Sequence, residues 1–354
     1  MRASQILATG IALVIVAAVS LTGARKLAAS EKDPGGKGGT AVIMTGAAAR
    51  IPQEAALLEA LYDRGLLKDV VFISGVSSGA LNAVMLNGIL SGKITWGEYK
   101  KLLFSLSNRD VFVQDGRRLP VDTEPLRKYL TGVVEGQLGY HSIGDLPVTT
   151  SISFTHISEP VPVETVYRMC SRKINNETDT TLSLVDILLA STSFPVAFPP
   201  VRIHNVKTIP DVGYIDGGVG DDHVPFRALL EFEKYRQQEV SKVYIVSRKG
   251  DSIPEISEEL KLLGVNDKGL FDRSGISLDN ILQRGMLRRL QAYSKQAPDH
   301  VPNTYVWVPD FKAVFPMFNF DNLEEQYEMT SAWAKTHQPV PLEEYIRREK
   351  MLNR

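Results

Sequence analysis

Short apolar runs alternate with amphipathic stretches along this chain, in the rhythm of strands and helices. Residues 40–45 (Thr-Ala-Val-Ile-Met-Thr) form a β-branched run that ends in Gly46-Ala47-Ala48-Ala49-Arg50. A helix is predicted over 52–63. Pro52 stands in its first turn, where a missing N–H costs little, and Ala55, Leu58 and Tyr62 recur at helical spacing. Gly65 is the expected C-cap. Residues 70–73 read as a second buried strand, and residues 80–86 as a helix packed on a sheet. Strand, helix, strand, helix in that order is a βαβα unit, which predicts an α/β fold with a mainly parallel sheet and helices on its faces. Further strands are predicted over 148–157, 163–169, 242–247 and 304–308, and helices over 182–191 and 276–293. Beyond Phe320 the chain is charge-rich and helical, expected as a helix laid over the domain or a partly ordered tail.

The N-terminus follows another rule. Residues 3–24 carry no charge, long enough to span a bilayer of roughly 30 Å as a helix, or to form the core of a cleavable signal peptide. Arg2 before it and Arg25-Lys26 after it give no clear orientation. An uncleaved anchor, hence a membrane-associated protein, is the favoured expectation; export after signal cleavage is the alternative. Residues 30–39 have the composition of a flexible linker. The expected organisation is an anchor or signal plus linker over 1–38, a catalytic domain over 39–312, and a charged helical extension over 313–354.

Composition narrows the function classes. The 354 residues are 44% hydrophobic and 23% charged, with 40 basic residues against 41 acidic ones. That balance, with no basic run interleaved with aromatics, gives no sign of a nucleic-acid partner. Cys170 is the only cysteine, so no intramolecular disulfide and no cysteine-based zinc site can form, and a small buried hydrophobe is its expected role. Arg284, Arg288 and Arg289 fall on or near one side of the 276–293 helix, read as a solvated basic face, with contact to anionic lipid heads as the lesser reading. Asn176-Glu177-Thr178 is a glycosylation sequon, meaningful only in a eukaryotic secretory lumen.

The chemistry concentrates at Gly75-Val76-Ser77-Ser78-Gly79. A serine on a sharp turn between a strand and a helix is a nucleophile elbow, and this one has the strand before it and the helix after it that the motif requires. Gly75 and Gly79 let the turn close, Ser77 projects beyond the sheet, and the Ser78 N–H at the helix N-terminus is a candidate oxyanion donor. Gly46 to Arg50, a small-residue turn between the first strand and its helix, can aim the N–H groups of Gly46, Ala47 and Ala48 at one point. No Gly-Lys-Ser/Thr follows it, which argues against a phosphate-binding loop.

A serine hydroxyl needs a base. Asp216, at a strand end before Gly217-Gly218, is by default a turn residue, yet it can serve if burial raises its proton affinity. Only one strand precedes the elbow strand, unlike the α/β-hydrolase order, in which a histidine follows the acid. His300 and His337, which follow Asp216, remain the runner-up bases.

From about residue 40 to about 247 the chain resembles the patatin-like phospholipase family. The elbow Gly75-Val76-Ser77-Ser78-Gly79-Ala80-Leu81-Asn82-Ala83 is similar to the family's nucleophile motif, and Asp216-Gly217 to its Asp-Gly motif. The stretch Ala190-Ser191-Thr192-Ser193-Phe194-Pro195 through Phe198-Pro199-Pro200 is similar to a segment that lines and supports the site. The resemblance implies a three-layer α/β/α fold with the elbow after the second strand. It implies a Ser77–Asp216 dyad without histidine and Arg50 as part of the oxyanion motif. It further implies substrate contacts at Phe194, Pro195 and Phe198, no metal or other cofactor, and a lipid substrate met at a membrane surface. Two segments depart from the pattern. The oxyanion turn carries alanines where glycines are usual, and the segment after Asp216 is one residue longer, with His223 where asparagine is common.

Three functions are therefore weighed: a serine lipid acyl hydrolase of phospholipase A type acting on glycerophospholipids, a membrane-tethered lipid-binding protein on a degenerate site, and a conventional Ser-His-Asp esterase. Protein partners are not specified by the sequence.

Overall fold

The computed structural model describes residues 38–113, 120–158, 163–195, 197–220, 222–249, 278–313 and 315–352. The apolar stretch 3–24 and nearly all of the linker lie outside them. In chain order the elements are β1 (Thr40–Met44), α1 (Ile51–Asp63), β2 (Val70–Val76), α2 (Ser78–Leu90), α3 (Trp96–Ser105), α4 (Asn108–Val111) and α5 (Glu124–Leu130). They continue with β3 (Thr149–Ser158), β4 (Val163–Cys170), α6 (Leu184–Thr192), β5 (Val201–Arg202), β6 (Gly213–Asp216), α7 (Arg227–Arg236) and β7 (Lys242–Val246). Last come α8 (Leu278–Gln296), β8 (Thr304–Trp307), α9 (Leu323–Thr336), β9 (Val340–Pro341) and α10 (Leu342–Leu352).

The strands make one nine-stranded sheet in the order β5-β6-β3-β2-β1-β7-β8-β9, with β4 on β3. The centre is parallel: β3, β2, β1, β7 and β8 run together, while β4, β6 and β9 run against their neighbours. All five residues of β1 are buried. Their side chains alternate between two cores, as period two requires. Val42 and Met44 join the core formed with α1, α2, α3, α6 and α9, while Ala41 and Ile43 join the one formed with α7, α8 and α10. This is the three-layer α/β/α arrangement, with the elbow after the second strand.

One detail of register positions everything that follows. Along one edge of β3, Thr149–Ser153 pair with Phe72–Val76 of β2. The next residues, Phe154 and Thr155, pair with Asp216 and Ile215 of β6. The opposite edge of β3 is filled by β4. β2 and β6 therefore meet end to end on a shared partner, and the end of β2 is brought to Asp216.

The C-terminal residues expected as a charged helical extension lie in the same compact unit as the rest of Gly38–Arg354. Gln326 of α9 accepts from Gln53 Nε2 (3.1 Å) and donates to the Ala49 carbonyl (3.0 Å), and β9 adds an antiparallel edge to β8. No helix among the described residues is long and apolar enough to cross a membrane.

Candidate active site

Ser77 separates β2 from α2 with φ 57° and ψ −133°. Such a conformation costs a non-glycine residue about 1–3 kcal/mol and persists only where its surroundings over-determine it. Here they do. The Ser77 N–H donates to Ser191 Oγ (2.9 Å), whose own hydroxyl donates to the Ser153 carbonyl (2.7 Å). The flanking glycines allow backbone to meet backbone. A Cβ on Gly79 would lie 2.3 Å from the Thr45 carbonyl oxygen, and one on Gly75 would lie 2.4 Å from that of Gly79.

Asp216 is buried at the end of β6. Its N–H donates to the Ser193 carbonyl (2.9 Å), and its Oδ1 accepts from the Gly218 N–H (2.7 Å). Gly217 presses against β3, where a Cβ would fall 2.6 Å from the Ser153 oxygen. Burial pushes the Asp216 carboxyl up to about 7; the Ser77 side chain and the Gly218 N–H act against it by favouring the charged form. The fold thus brings Ser77 and Asp216 together at one pocket.

The oxyanion turn is rearranged relative to expectation. Gly46 lies directly against the elbow: a Cβ there would come 2.8 Å from Ser77 Cβ. Ala48 adopts a left-handed φ of 47°. The Ala47 N–H, expected to face the oxyanion, donates instead to Ser78 Oγ (2.7 Å). The nest is narrower than predicted because the Ser78 side chain occupies one of its donors. The N–H groups of Gly46, Ala48 and Ser78 meet no hydrogen-bond acceptor among the described residues. Arg50 is buried behind the turn; its Nε donates to the Phe315 carbonyl (2.7 Å), while the Ala49 N–H donates to that of Met317 (2.7 Å). It anchors the turn rather than lining the pocket.

Ser77 and Asp216 open into a pocket whose walls are otherwise mostly apolar. Leu81, Leu106, Val111 and Leu126 form one side. Phe194 and Phe198 form another, packed on Phe318 at 6.1 and 6.0 Å between ring centroids. The Phe198 N–H donates to the Phe194 carbonyl (2.8 Å), a turn that brings both rings to the pocket. Pro195, expected to touch substrate, is left outside the lining by that turn.

Several contributors escape the motif reading, Met317, Phe318, His223 and Arg248 among them. Met317 and Phe318 come from beyond the expected domain boundary. His223 lies between Gly218 and α8, so close to Gly285 that a Cβ there would fall 2.6 Å from the ring. Burial, with the charge of Arg248 second, pushes the His223 imidazole down to about 4. Arg248 follows β7 and is 3% exposed. The segment length after Asp216 was the signal for His223; for Arg248 it is the rule that sites form outside the carboxyl ends of parallel strands.

Beneath the pocket Thr45 Oγ1 lies 2.6 Å from Ser247 Oγ and donates to Glu54 Oε1 (3.0 Å), while Asn82 Nδ2 donates to Glu54 Oε2 (3.3 Å). Burial pushes the Glu54 carboxyl up to about 8, against the hydrogen bonds of Thr45 and Asn82 and the charge of Arg248.

The runner-up bases are elsewhere. His300 faces Glu233 Oε2 (3.1 Å) and the Tyr293 hydroxyl (2.9 Å), and His337 stacks on Trp333 at 4.2 Å. Neither lines the pocket that holds Ser77. Among the described residues no group of three or more His, Cys, Asp and Glu side chains could hold a metal ion.

Among solved structures the chain is similar to VipD from Legionella pneumophila, at 13% identity over 86% of this chain and 68% of that one, with a TM-score of 0.34. It is similar to the type III effector ExoU at 13% identity, over 88% of this chain and 53% of that one, with a TM-score of 0.38. It is also similar to the ExoU–SpcU complex of Pseudomonas aeruginosa, at 16% identity over 73% and 52%, with a TM-score of 0.33. No curated protein sequence matches this chain. The profile of the family described as patatin-like phospholipase matches residues 38–230, more than half of the 354 residues, and takes in the elbow, the oxyanion turn and the Asp-Gly motif. The chain belongs to the patatin-like phospholipase family.

Proposed function

We propose that the protein hydrolyses fatty acyl esters of glycerophospholipids through a Ser77–Asp216 dyad. Ser77 Oγ attacks the ester carbonyl carbon and its proton passes to Asp216. The N–H groups of Gly46, Ala48 and Ser78 receive the negative oxygen of the tetrahedral intermediate; each such donor contributes roughly 3–4 kcal/mol in well-studied hydrolases. Asp216 returns the proton to the leaving alkoxide, which departs as the lysophospholipid and leaves an acyl-serine. Water then attacks that acyl group, giving its proton to Asp216, and the fatty acid leaves as Ser77 recovers its hydrogen. The apolar walls take the acyl chain. Residues 3–24 hold the domain at a membrane, where the substrate resides.

The observation that carries this reading is the strained Ser77 set against a buried carboxyl raised to about 7, a proton affinity suited to a general base near neutral pH. The test is labelling by a fluorophosphonate probe of protein lacking residues 1–37, with wild type, Ser77→Ala and Asp216→Asn compared and folding checked by circular dichroism. Labelling of wild type alone is expected. Labelling of Ser77→Ala at the wild-type rate would sink the assignment.

A second reading has one observation in its favour. The Ala47 N–H is turned to Ser78 Oγ, which leaves the oxyanion turn one donor short of the expected set. A lipid-binding protein without turnover predicts a folded wild type that binds phospholipid vesicles, takes no label and releases no fatty acid.

A further inference from the structure

His223 stands between two cavities. It lines the pocket that holds Ser77 and Asp216, and it lines a second one with Val219, Gly220, Gly285 and Arg288. Among the described residues no other is common to both. The division falls between chain neighbours on each flank: Gly218 and Met286 line the first cavity, Val219 and Gly285 the second. Glu164 and Arg288, both exposed, open the second cavity to solvent. We propose that His223 holds the water that releases the acyl group from Ser77, accepting a hydrogen bond at Nδ1 while Asp216 takes the water's other hydrogen.

Two glycines set how the ring sits. Gly285 lies in the interior of α8, where glycine weakens a helix relative to alanine and calls for a packing reason. A Cβ there would fall 2.6 Å from Cδ2 and 2.7 Å from Nε2 of His223, so the glycine admits that edge of the ring. The opposite edge faces Gly218. A Cβ on Gly218 would lie 3.6 Å from His223 Nδ1 and 3.1 Å from Asp216 Oδ1. Nδ1 and the carboxyl oxygen therefore flank the same side of Gly218, as the two partners of one water must. Asp216 Oδ1 already accepts from the Gly218 N–H (2.7 Å), and a carboxylate oxygen has a lone pair for a second donor.

The chemistry of the ring agrees. Among the described residues neither nitrogen of His223 has a hydrogen-bond partner. Burial, with the charge of Arg248 second, pushes the imidazole down to about 4, so near neutral pH the ring is uncharged and one nitrogen keeps its lone pair. With the hydrogen on Nε2, that nitrogen is Nδ1. His223 does not replace Asp216 as the base, because the Ser77 side chain bonds Asp216 directly and Nε2 is turned to α8.

The arrangement matters in the second half of the reaction. Once Ser77 is acylated, the acyl chain covers the apolar walls and keeps water from that side. Water entering through the second cavity meets His223. Its oxygen attacks the acyl carbon of the Ser77 ester. One hydrogen passes as a proton to Asp216, and the other, held by Nδ1, stays on the oxygen. The bond from that carbon to Oγ then breaks, Oγ takes the proton back from Asp216, and the fatty acid leaves.

This role rests on the hydrolase reading above, and the experiment separates the two. Full-length wild type, His223→Leu, His223→Asn and Gly285→Ala are compared in neutral detergent micelles. Two rates are measured: labelling of Ser77 by a fluorophosphonate, and stopped-flow release of p-nitrophenolate from p-nitrophenyl octanoate. His223→Leu is expected to take the label at close to the wild-type rate. It should release a burst of about one p-nitrophenolate per protein, the mark of an accumulating acyl-enzyme, and then turn over about tenfold or more slower than wild type. Gly285→Ala should show the same split, because its Cβ displaces the ring. His223→Asn keeps a polar atom near the place of Nδ1 and should recover part of the lost turnover. If His223→Leu does not fold by circular dichroism, Gly285→Ala carries the comparison. Unchanged turnover in the folded variants, or labelling and turnover that fall together, overturns the assignment. A wild type that takes no label and releases no p-nitrophenolate overturns the hydrolase reading, and this role with it.

Discussion

Asp216 carries two consequences of a single burial. As the proposed base it must be ionised, so hydrolysis should rise with pH through about 7 and level off above it. A stopped-time assay across pH 5–9 on a substrate without ionisable groups checks this; a flat profile would contradict it. Stability runs the other way. Between 3.8, its ordinary value, and about 7 the folded protein holds a proton that the unfolded chain has released. This contribution is whole below 3.8 and lost as pH rises through 7. Asp216→Asn removes that loss, so urea titration should find it about 2–4 kcal/mol more stable than wild type at pH 8 and close to it near pH 4. That Ser77 and Asp216 meet at one pocket was legible in the sequence, because each stands beside glycines whose presence only a sharp turn or a close approach explains. Arg248 was not, because a residue after a strand acquires its meaning only when the sheet is assembled.

At the scale of elements, the oxyanion turn shows how a substitution can be absorbed without losing shape. Alanine disfavours positive φ, and Ala48 adopts it nonetheless, at 47°. The left-handed region costs an L-residue about 1–2 kcal/mol, partly offset on replacement by glycine's greater unfolded entropy. Ala48→Gly should therefore stabilise the protein by about 0.5–1 kcal/mol in chemical unfolding. Gly46→Ala should do the reverse and silence Ser77, since its Cβ would fall 2.8 Å from that of Ser77. The central strands and the helices around the elbow follow the predicted pattern because each has a clean period and a clear stop. Two-residue strands such as β5 and β9 have no period to read, and α4 spans only Asn108–Val111. α3 could have been found: Thr95 and Glu98 form a capping box, with the Thr95 N–H donating to Glu98 Oε2 (2.8 Å) and the Glu98 N–H donating to Thr95 Oγ1 (3.2 Å).

The whole molecule is larger than its family signature. The match ends at residue 230, yet Ser247, Arg248, Met286, Met317, Phe318 and Phe320 all line the pocket. α9 lies on α1, and the carbonyls of Phe315 and Met317 hold the oxyanion turn through Arg50 and Ala49. A chain ending at residue 312 is therefore expected to lose serine labelling together with cooperative unfolding, rather than to behave as a trimmed catalytic domain; limited proteolysis and circular dichroism check this. Charge and helical pattern were visible in these residues from the start. Their role was hidden, because a charged helix reads the same whether it covers a surface or closes a site.

The end-to-end meeting of β2 and β6 on one edge of β3 makes that strand a ruler. Ser77 and Asp216, the proposed nucleophile and base, lie far apart in sequence and share no element, so no loop between them sets their separation. It is set by Ser153 and Phe154 being neighbours. Loops on either side can lengthen and the junction stays where it is. A one-residue slip of β3 would draw the pair apart while turning its buried side chains to the wrong face. The spacing of Ser77 and Asp216 is thus guarded by the same force that keeps the core dry, through a strand that carries neither residue.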